Sequence, residues 1–217
     1  MNEKQQLKEL ADQLSHPKGN MGVETGNQMN ESNISMTLHS MERLNLNTNE
    51  KVMELGHGNC AHLPFLTEKG VIYYGLEVSE LMYAEATKMH PAAIAQQRAF
   101  FELYDGINIP FETDFFDKIF TVNTIYFWAD PEKLLSELCR ILKPKGILNI
   151  TFAQKAFMEQ LPFAQFGFEL YDNEKVLKLT EFLPLEVLQT DSHIESVKSK
   201  AGTMVNREFT TISFRKI

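Results

Sequence analysis

From Lys51 onward, short apolar runs alternate with amphipathic stretches along the chain. Lys51-Val52-Met53-Glu54-Leu55 reads as a buried strand that runs into Gly56-His57-Gly58. Asn59 to Lys69 has the pattern of a helix, and Gly70 follows as its stop signal. Val71 to Glu77 is a second strand, and Ser79 is placed to cap a helix that reaches Met89. Gln97 to Leu103 and Phe116 to Val122 supply two more strands. Pro131 opens a helix that closes before Lys143-Pro144, and Ile147 to Phe152 is the fifth strand. Such regular alternation implies a parallel sheet with helices on both faces. The tail differs. Asn173 to Phe182 reads as helix, then Glu186 to Thr190 and Phe209 to Arg215 as strands, with Gly202-Thr203 in the turn region between them. Two late strands without an intervening helix form a hairpin, which inserts an antiparallel strand into the sheet.

The first 48 residues are patterned differently. Leu7, Leu10 and Leu14 line one face of a helix that His16-Pro17-Lys18-Gly19-Asn20 breaks. Met21 to Asn33 is rich in Gly, Asn and Glu and has little apolar periodicity, so a loop is expected there. A second helix is expected from Ile34 to Leu44, with Met36, Leu38, Met41 and Leu44 turned partly inward. Residues 1–48 thus read as a helical cap or extension ahead of a domain covering 49–217. The extension either wraps the surface or closes over a ligand.

Charge narrows the function. The chain has 217 residues, with 21 Lys+Arg against 29 Asp+Glu and a net charge of −8. With no basic cluster, this balance argues against a nucleic-acid partner, because phosphate neutralisation by Lys and Arg carries most non-specific affinity. Cys60 and Cys139 form no CxxC pair, and the six histidines show no HxH or HExxH spacing, so no metal site is expected. Met1 to Leu14 lacks the apolar core of a signal peptide, and no run approaches the ~20 apolar residues of a membrane span. The expectation is a soluble, cytoplasmic-type protein.

The glycine turn is the most informative segment. A strand that feeds a helix through closely spaced glycines lets backbone N–H groups approach a ligand. Glu77 follows 21 positions beyond Gly56, at the end of the next strand, where a carboxylate can accept both hydroxyls of a ribose. Gly56-x-Gly58-x-x-Ala61 also satisfies the dinucleotide pattern, so an NAD(P)-dependent oxidoreductase is the first rival reading. Glu54 argues against it. A carboxylate at this strand end repels a pyrophosphate and suits a cationic or zwitterionic ligand.

Five segments in order carry a family resemblance. They are Glu54-Leu55-Gly56-His57-Gly58, then Gly75-Leu76-Glu77-Val78-Ser79-Glu80-Leu81-Met82, and then Tyr104-Asp105-Gly106 with Ile109-Pro110-Phe111. Phe116-Asp117-Lys118-Ile119 and Leu138-Cys139-Arg140-Ile141-Leu142-Lys143-Pro144-Lys145-Gly146 complete the set. Together they resemble the class I S-adenosylmethionine-dependent methyltransferases, in particular the small-molecule ubiquinone/menaquinone-type ("type 11") group. The resemblance runs from about Asn49 to Phe152. It implies a Rossmann-like α/β fold, a seven-stranded mostly parallel sheet with helices on both faces and a C-terminal antiparallel hairpin strand. It also implies S-adenosylmethionine as cofactor and a small-molecule acceptor. By this resemblance Glu54, Gly56 and Gly58 hold the methionine end, Glu77 the ribose, and Val78, Asp105 and Gly106 the adenine. Met82 belongs to the ribose motif, and Asn123 lies near the cofactor. The family's third glycine is Cys60 here, which would set a side chain near the methionine tail, and its Pro-Gly-Gly corner is Pro144-Lys145-Gly146. Cys60 and the lack of an evident base leave a non-catalytic S-adenosylmethionine-binding protein as the second rival.

Methyl transfer from a sulfonium needs alignment and exclusion of water more than a catalytic triad. Tyr126 and Trp128 follow the fourth strand at the carboxyl edge of the sheet, where open α/β folds bind ligands, and either face the acceptor or pack beneath it. Phe157, Phe163, Phe166, Phe168 and Tyr171 form an aromatic stretch that either shapes the acceptor pocket or holds down the N-terminal segment. His57 is placed to touch a ligand from the turn. His39 and His62 are candidate bases, and Cys60 is a candidate nucleophile only by its position at a helix start. No catalytic residue is assigned.

Overall fold

The computed structural model describes residues 2–198 and 204–217. In chain order its elements are α1 (Glu3–Ser15), α2 (Gly19–Leu44), β1 (Lys51–Leu55), α3 (Leu63–Thr67), β2 (Ile72–Glu77), α4 (Glu80–Met89), α5 (Pro91–Ala95) and β3 (Ala99–Leu103). They continue with β4 (Phe116–Val122), α6 (Pro131–Ile141), β5 (Leu142–Ala153), α7 (Lys155–Met158), α8 (Asn173–Thr180), β6 (Leu185–Lys198) and β7 (Met204–Lys216).

The seven strands form one sheet in the order β3-β2-β1-β4-β5-β7-β6. The first five run parallel, β7 pairs antiparallel with β5, and β6 pairs antiparallel with β7. The chain reverses direction across the sheet between β1 and β4, which opens the crevice where such folds bind ligands. Successive strand residues point to opposite faces, and two cores result. Met53, Leu76, Ile119 and Phe214 meet Leu134, Leu135 and Leu138 of α6 and Val176 of α8 on one side. Val52, Tyr73, Phe120 and Phe209 meet Met36, Met41 and Leu44 of α2 with Leu63 and Leu66 of α3 on the other. Local signals set the helix starts. Asp130 caps α6 ahead of Pro131, Asp172 caps α8, and Ser79 caps α4.

Several sequence expectations need adjusting. The helix expected over Asn59 to Lys69 shortens to α3, with turns before it. Strand β5 extends back through the Lys143–Gly146 corner, and β6 and β7 are much longer than the patterns suggested because each satisfies the other's backbone. The expected Gly202-Thr203 turn lies outside the described residues. The largest correction concerns Met21 to Asn33. These residues are helical, and α2 runs unbroken for 26 residues to Leu44. Apolar periodicity is weak there because the helix does not pack on apolar side chains alone. Gly22 and Gly26 face α4 so closely that an added Cβ would lie 2.6 Å from Leu81 Cδ2 and 2.7 Å from Met82 Sδ. Close approach, not a hydrophobic stripe, seats this half of the helix.

Candidate active site

The turn after β1 is shaped by backbone constraints. Gly56 has φ +75°, and a Cβ there would lie 2.4 Å from Thr124 Cγ2. Gly58 has φ +57° and faces open space, so its backbone is accessible to a ligand. Glu77, 6% exposed, holds the two motif loops in register. One oxygen accepts the Gly58 N–H at 2.9 Å, and the other accepts from Val78 at 2.8 Å and Ser79 at 3.1 Å. Burial raises its pKa while these N–H groups pull it down.

Above the turn lies a cavity of about 970 Å³. Glu54, Gly56, Gly58, Glu77, Val78, Met82, Gly106 and Asn123 all line it, so eight of the nine positions expected from sequence are brought together. Asp105 is not among them. Its fully exposed carboxylate closes a local turn instead, accepting from the Asn108 and Ile107 N–H groups and from the Asn108 side chain, which hold it at about 2. The volume suits a ligand of nucleoside size carrying an amino-acid tail, with room for an acceptor. The residues therefore fit S-adenosylmethionine: an open glycine backbone at one end and, at Glu77, a fixed carboxylate where the resemblance implies the ribose.

Beneath the turn, Glu54 is less free than its sequence position implies. Its Oε2 lies 2.7 Å from His62 Nε2 and accepts the Tyr73 hydroxyl at 2.6 Å. Burial pulls the His62 imidazole down, but the Glu54 carboxylate and Cys60 outweigh it, and the pKa ends well above the usual value. Cys60 turns away from the cavity. Its backbone takes a positive φ of 55°, its thiol donates to Tyr73 at 3.2 Å, and burial raises its pKa, which removes it as a nucleophile. His57 lines the cavity and packs against Phe101 at 5.0 Å; burial pushes it down to about 4, so it is neutral at neutral pH. His39 lies on α2 beside β6 and does not reach the cavity.

The far end is aromatic. Tyr126, Phe127, Trp128, Phe157, Phe163 and Phe168 line it, whereas Tyr171 is buried in the core and, like Phe166, is absent from the wall. The Tyr126 hydroxyl reaches Asn123 Oδ1 at 2.9 Å and the Ala153 carbonyl at 3.1 Å, and it accepts the Ala153 N–H at 2.7 Å. Burial raises its pKa, so it positions the Asn123 loop and does not act as a base at neutral pH.

Helix α2 closes the cavity through polar contacts that no sequence periodicity signalled. Asn59 bonds Asn27 at 2.8 Å and Asn30 at 2.9 Å, and Asn123 donates to Asn33 at 3.1 Å. Arg207 of β7, buried beside Glu195 at 2.6 Å, donates to the Ser32 carbonyl at 2.6 Å. Asn30, Asn33 and Arg207 line the cavity. The sequence placed the two asparagines only within a polar segment that either wraps the surface or closes over a ligand, and Arg207, a single polar residue outside any motif, went unnoticed.

A methyltransferase-domain family model matches residues 53–150. The chain is 28% identical over 121 residues to the methyltransferase GfsG of Streptomyces halstedii, a match covering 55% of this chain and 44% of that protein. It is 27% identical over 122 residues to the uncharacterized methyltransferase YdaC of Bacillus subtilis, covering 55% and 65% respectively. The matched region thus spans about half to two thirds of these relatives' own lengths. Among solved structures, a chain from the complex between the Haloferax volcanii Trm112 methyltransferase activator and the putative methyltransferase superposes with TM-score 0.75 at 17% identity, covering 88% of this chain and 93% of that one. The [4+2]-cyclase SpnF superposes with TM-score 0.67 at 17% identity, covering 84% and 80%. Residues 53–150 thus match a methyltransferase-domain family, and the ordered motifs and strand order of the chain are similar to those of the class I S-adenosylmethionine-dependent methyltransferases.

Proposed function

We propose that the chain binds S-adenosylmethionine in the 970 Å³ cavity and transfers its methyl group to a small-molecule acceptor held at the aromatic end. The observation that carries this reading is the continuity of one cavity from Gly58 and Glu77 to Trp128 and Phe168. Bound there, S-adenosylmethionine supplies a methyl carbon already activated for displacement. The chain's own part is alignment and exclusion of water. Glu77 takes the ribose, Val78 and Gly106 border the adenine, and Gly56 and Gly58 leave room for the methionine portion. Residues 1–48 act as a cap, with α2 forming one cavity wall through Asn30 and Asn33. No helix among the described residues is long and apolar enough to cross a membrane, and the net charge of −8 disfavours a nucleic-acid acceptor.

Titration calorimetry tests the reading. S-adenosylmethionine and its demethylated product should each bind at micromolar level, and NAD(H) should not. Saturable NAD(H) binding without S-adenosylmethionine binding would overturn the assignment. A chain that binds the cofactor but methylates nothing across a broad acceptor panel would instead be a non-catalytic binder.

A further inference from the structure

Outside the cavity, α2 and the edge strand β6 bring three metal-ligating side chains together. Two groups of this kind occur among the described residues. Glu54, Cys60 and His62 satisfy one another and Tyr73 by hydrogen bonds, as above. His39, Asp191 and His193 are not satisfied in that way. Their ligand atoms all lie within 4.8 Å of one another, yet His39 Nε2 is shielded from solvent and makes no hydrogen bond. A buried imidazole nitrogen without a hydrogen bond is rare, and coordination would satisfy it.

We propose that His39, Asp191 and His193 form a binding site for a divalent transition metal of the zinc type that ties α2 to β6. The backbone places the ligands. Asp191 and His193 are two apart on β6 and so share a face of the strand, while His39 descends from α2. His39 Nε2 lies 3.5 Å from Asp191 Oδ2, and His193 Nε2 lies 3.5 Å from Asp191 Oδ1. These two contacts use different carboxylate oxygens. With a single Asp191 oxygen the three ligand atoms lie within 4.8 Å of one another, and small side-chain rotations would bring them to the about 3.3–3.6 Å separations of tetrahedral zinc with bonds of roughly 2.0–2.2 Å. The two imidazole rings meet at 4.2 Å, and Phe209 backs both. His193 is half-exposed and leaves an entry path.

The charged groups around the site fit this use. Arg43 holds Asp191 Oδ2 at 2.5 Å and 2.7 Å, and Gln189 reaches the same oxygen at 3.3 Å. Oδ1 is left toward His193, and the carboxylate is fixed in orientation, as partners of metal ligands commonly do. Arg43 also places a positive charge nearby, which moderates affinity, and Glu42 on the same turn offsets part of it. One position on the ion stays open to water. Because α2 walls the cavity and Ser35 bonds Glu195 of β6 nearby, a bound ion would fasten the cap to the hairpin.

Zinc titration of the metal-stripped 217-residue chain, with cobalt absorption as a ligand fingerprint, tests the site. One ion should bind per chain at micromolar level, weakened roughly thirtyfold or more in His39→Ala and in His193→Gln and unchanged in Cys60→Ser. The cobalt spectrum should show four-coordinate nitrogen and oxygen ligation without a thiolate charge-transfer band. Zinc should raise the melting temperature of the parent chain but not of His193→Gln, a half-exposed position whose substitution leaves the fold intact. Absence of saturable binding, unchanged affinity in His193→Gln, or a thiolate band lost in Cys60→Ser would each overturn the proposal.

Discussion

Ser79 Oγ donates to the Pro17 carbonyl across 2.8 Å, and the same hydroxyl accepts the Met82 N–H that opens α4. One buried side chain therefore caps α4 and pins the joint between α1 and α2 against it. Ser79→Ala frees a cap donor and strands a buried carbonyl, so it should cost about 1–3 kcal/mol. Urea unfolding measures this, and a loss below about 0.5 kcal/mol would show the joint to be held by other contacts.

Gly22→Ala should destabilise the protein although it improves helix propensity. Alanine is favoured over glycine in a helix interior by about 1 kcal/mol. Here the new Cβ would lie 2.9 Å from the Pro17 backbone carbonyl carbon and 2.6 Å from Leu81 Cδ2. The leucine tip can move, but the backbone carbon cannot without shifting the whole joint. A raised melting temperature in this variant would contradict the close packing of α2 on α4.

Glu77→Gln keeps the shape of the side chain and replaces one acceptor by a donor. Facing three backbone N–H groups, the amide must set its NH2 against at least one of them. The expected cost is about 1–3 kcal/mol in stability, with at least a roughly tenfold loss of S-adenosylhomocysteine affinity. Calorimetry on the folded variant checks the second figure, and unchanged affinity would take Glu77 out of the binding site.

Stability should fall on both sides of neutrality for opposite reasons. His62 is raised above 6.5 in the folded state, so its contribution is complete below that pH and is lost as pH rises through the folded value. His57 is pushed down to about 4, so its contribution is present above 6.5 and is lost as pH falls toward 4. A shift of that size corresponds to on the order of 3 kcal/mol. His62→Gln should flatten the alkaline limb of urea midpoint against pH, and His57→Asn the acid limb. An alkaline limb that is identical in His62→Gln would rule out the Glu54–His62 pair as its source.

The parallel strands, the glycine turn and Glu77 were legible in the sequence because their signals are local. A buried strand must be an apolar run, a tight strand-to-helix turn needs residues tolerant of positive φ, and both are written within a few consecutive positions. What depended on long-range packing was not legible. The first half of α2 is polar because it seats on glycine contacts and asparagine pairs, so Asn27, Asn30 and Asn33 looked like loop residues until Asn59 and Asn123 met them. Cys60 stood where a glycine was expected and looked like an intrusion on the cofactor. The fold turns its thiol to Tyr73 instead. Asp105 sat in the right motif, but its carboxylate is consumed by its own turn. His39 and His193 showed no ligand spacing at all, being far apart in the chain. They became neighbours because α2 crosses the sheet toward the edge strand, and the sequence carries no local trace of that crossing.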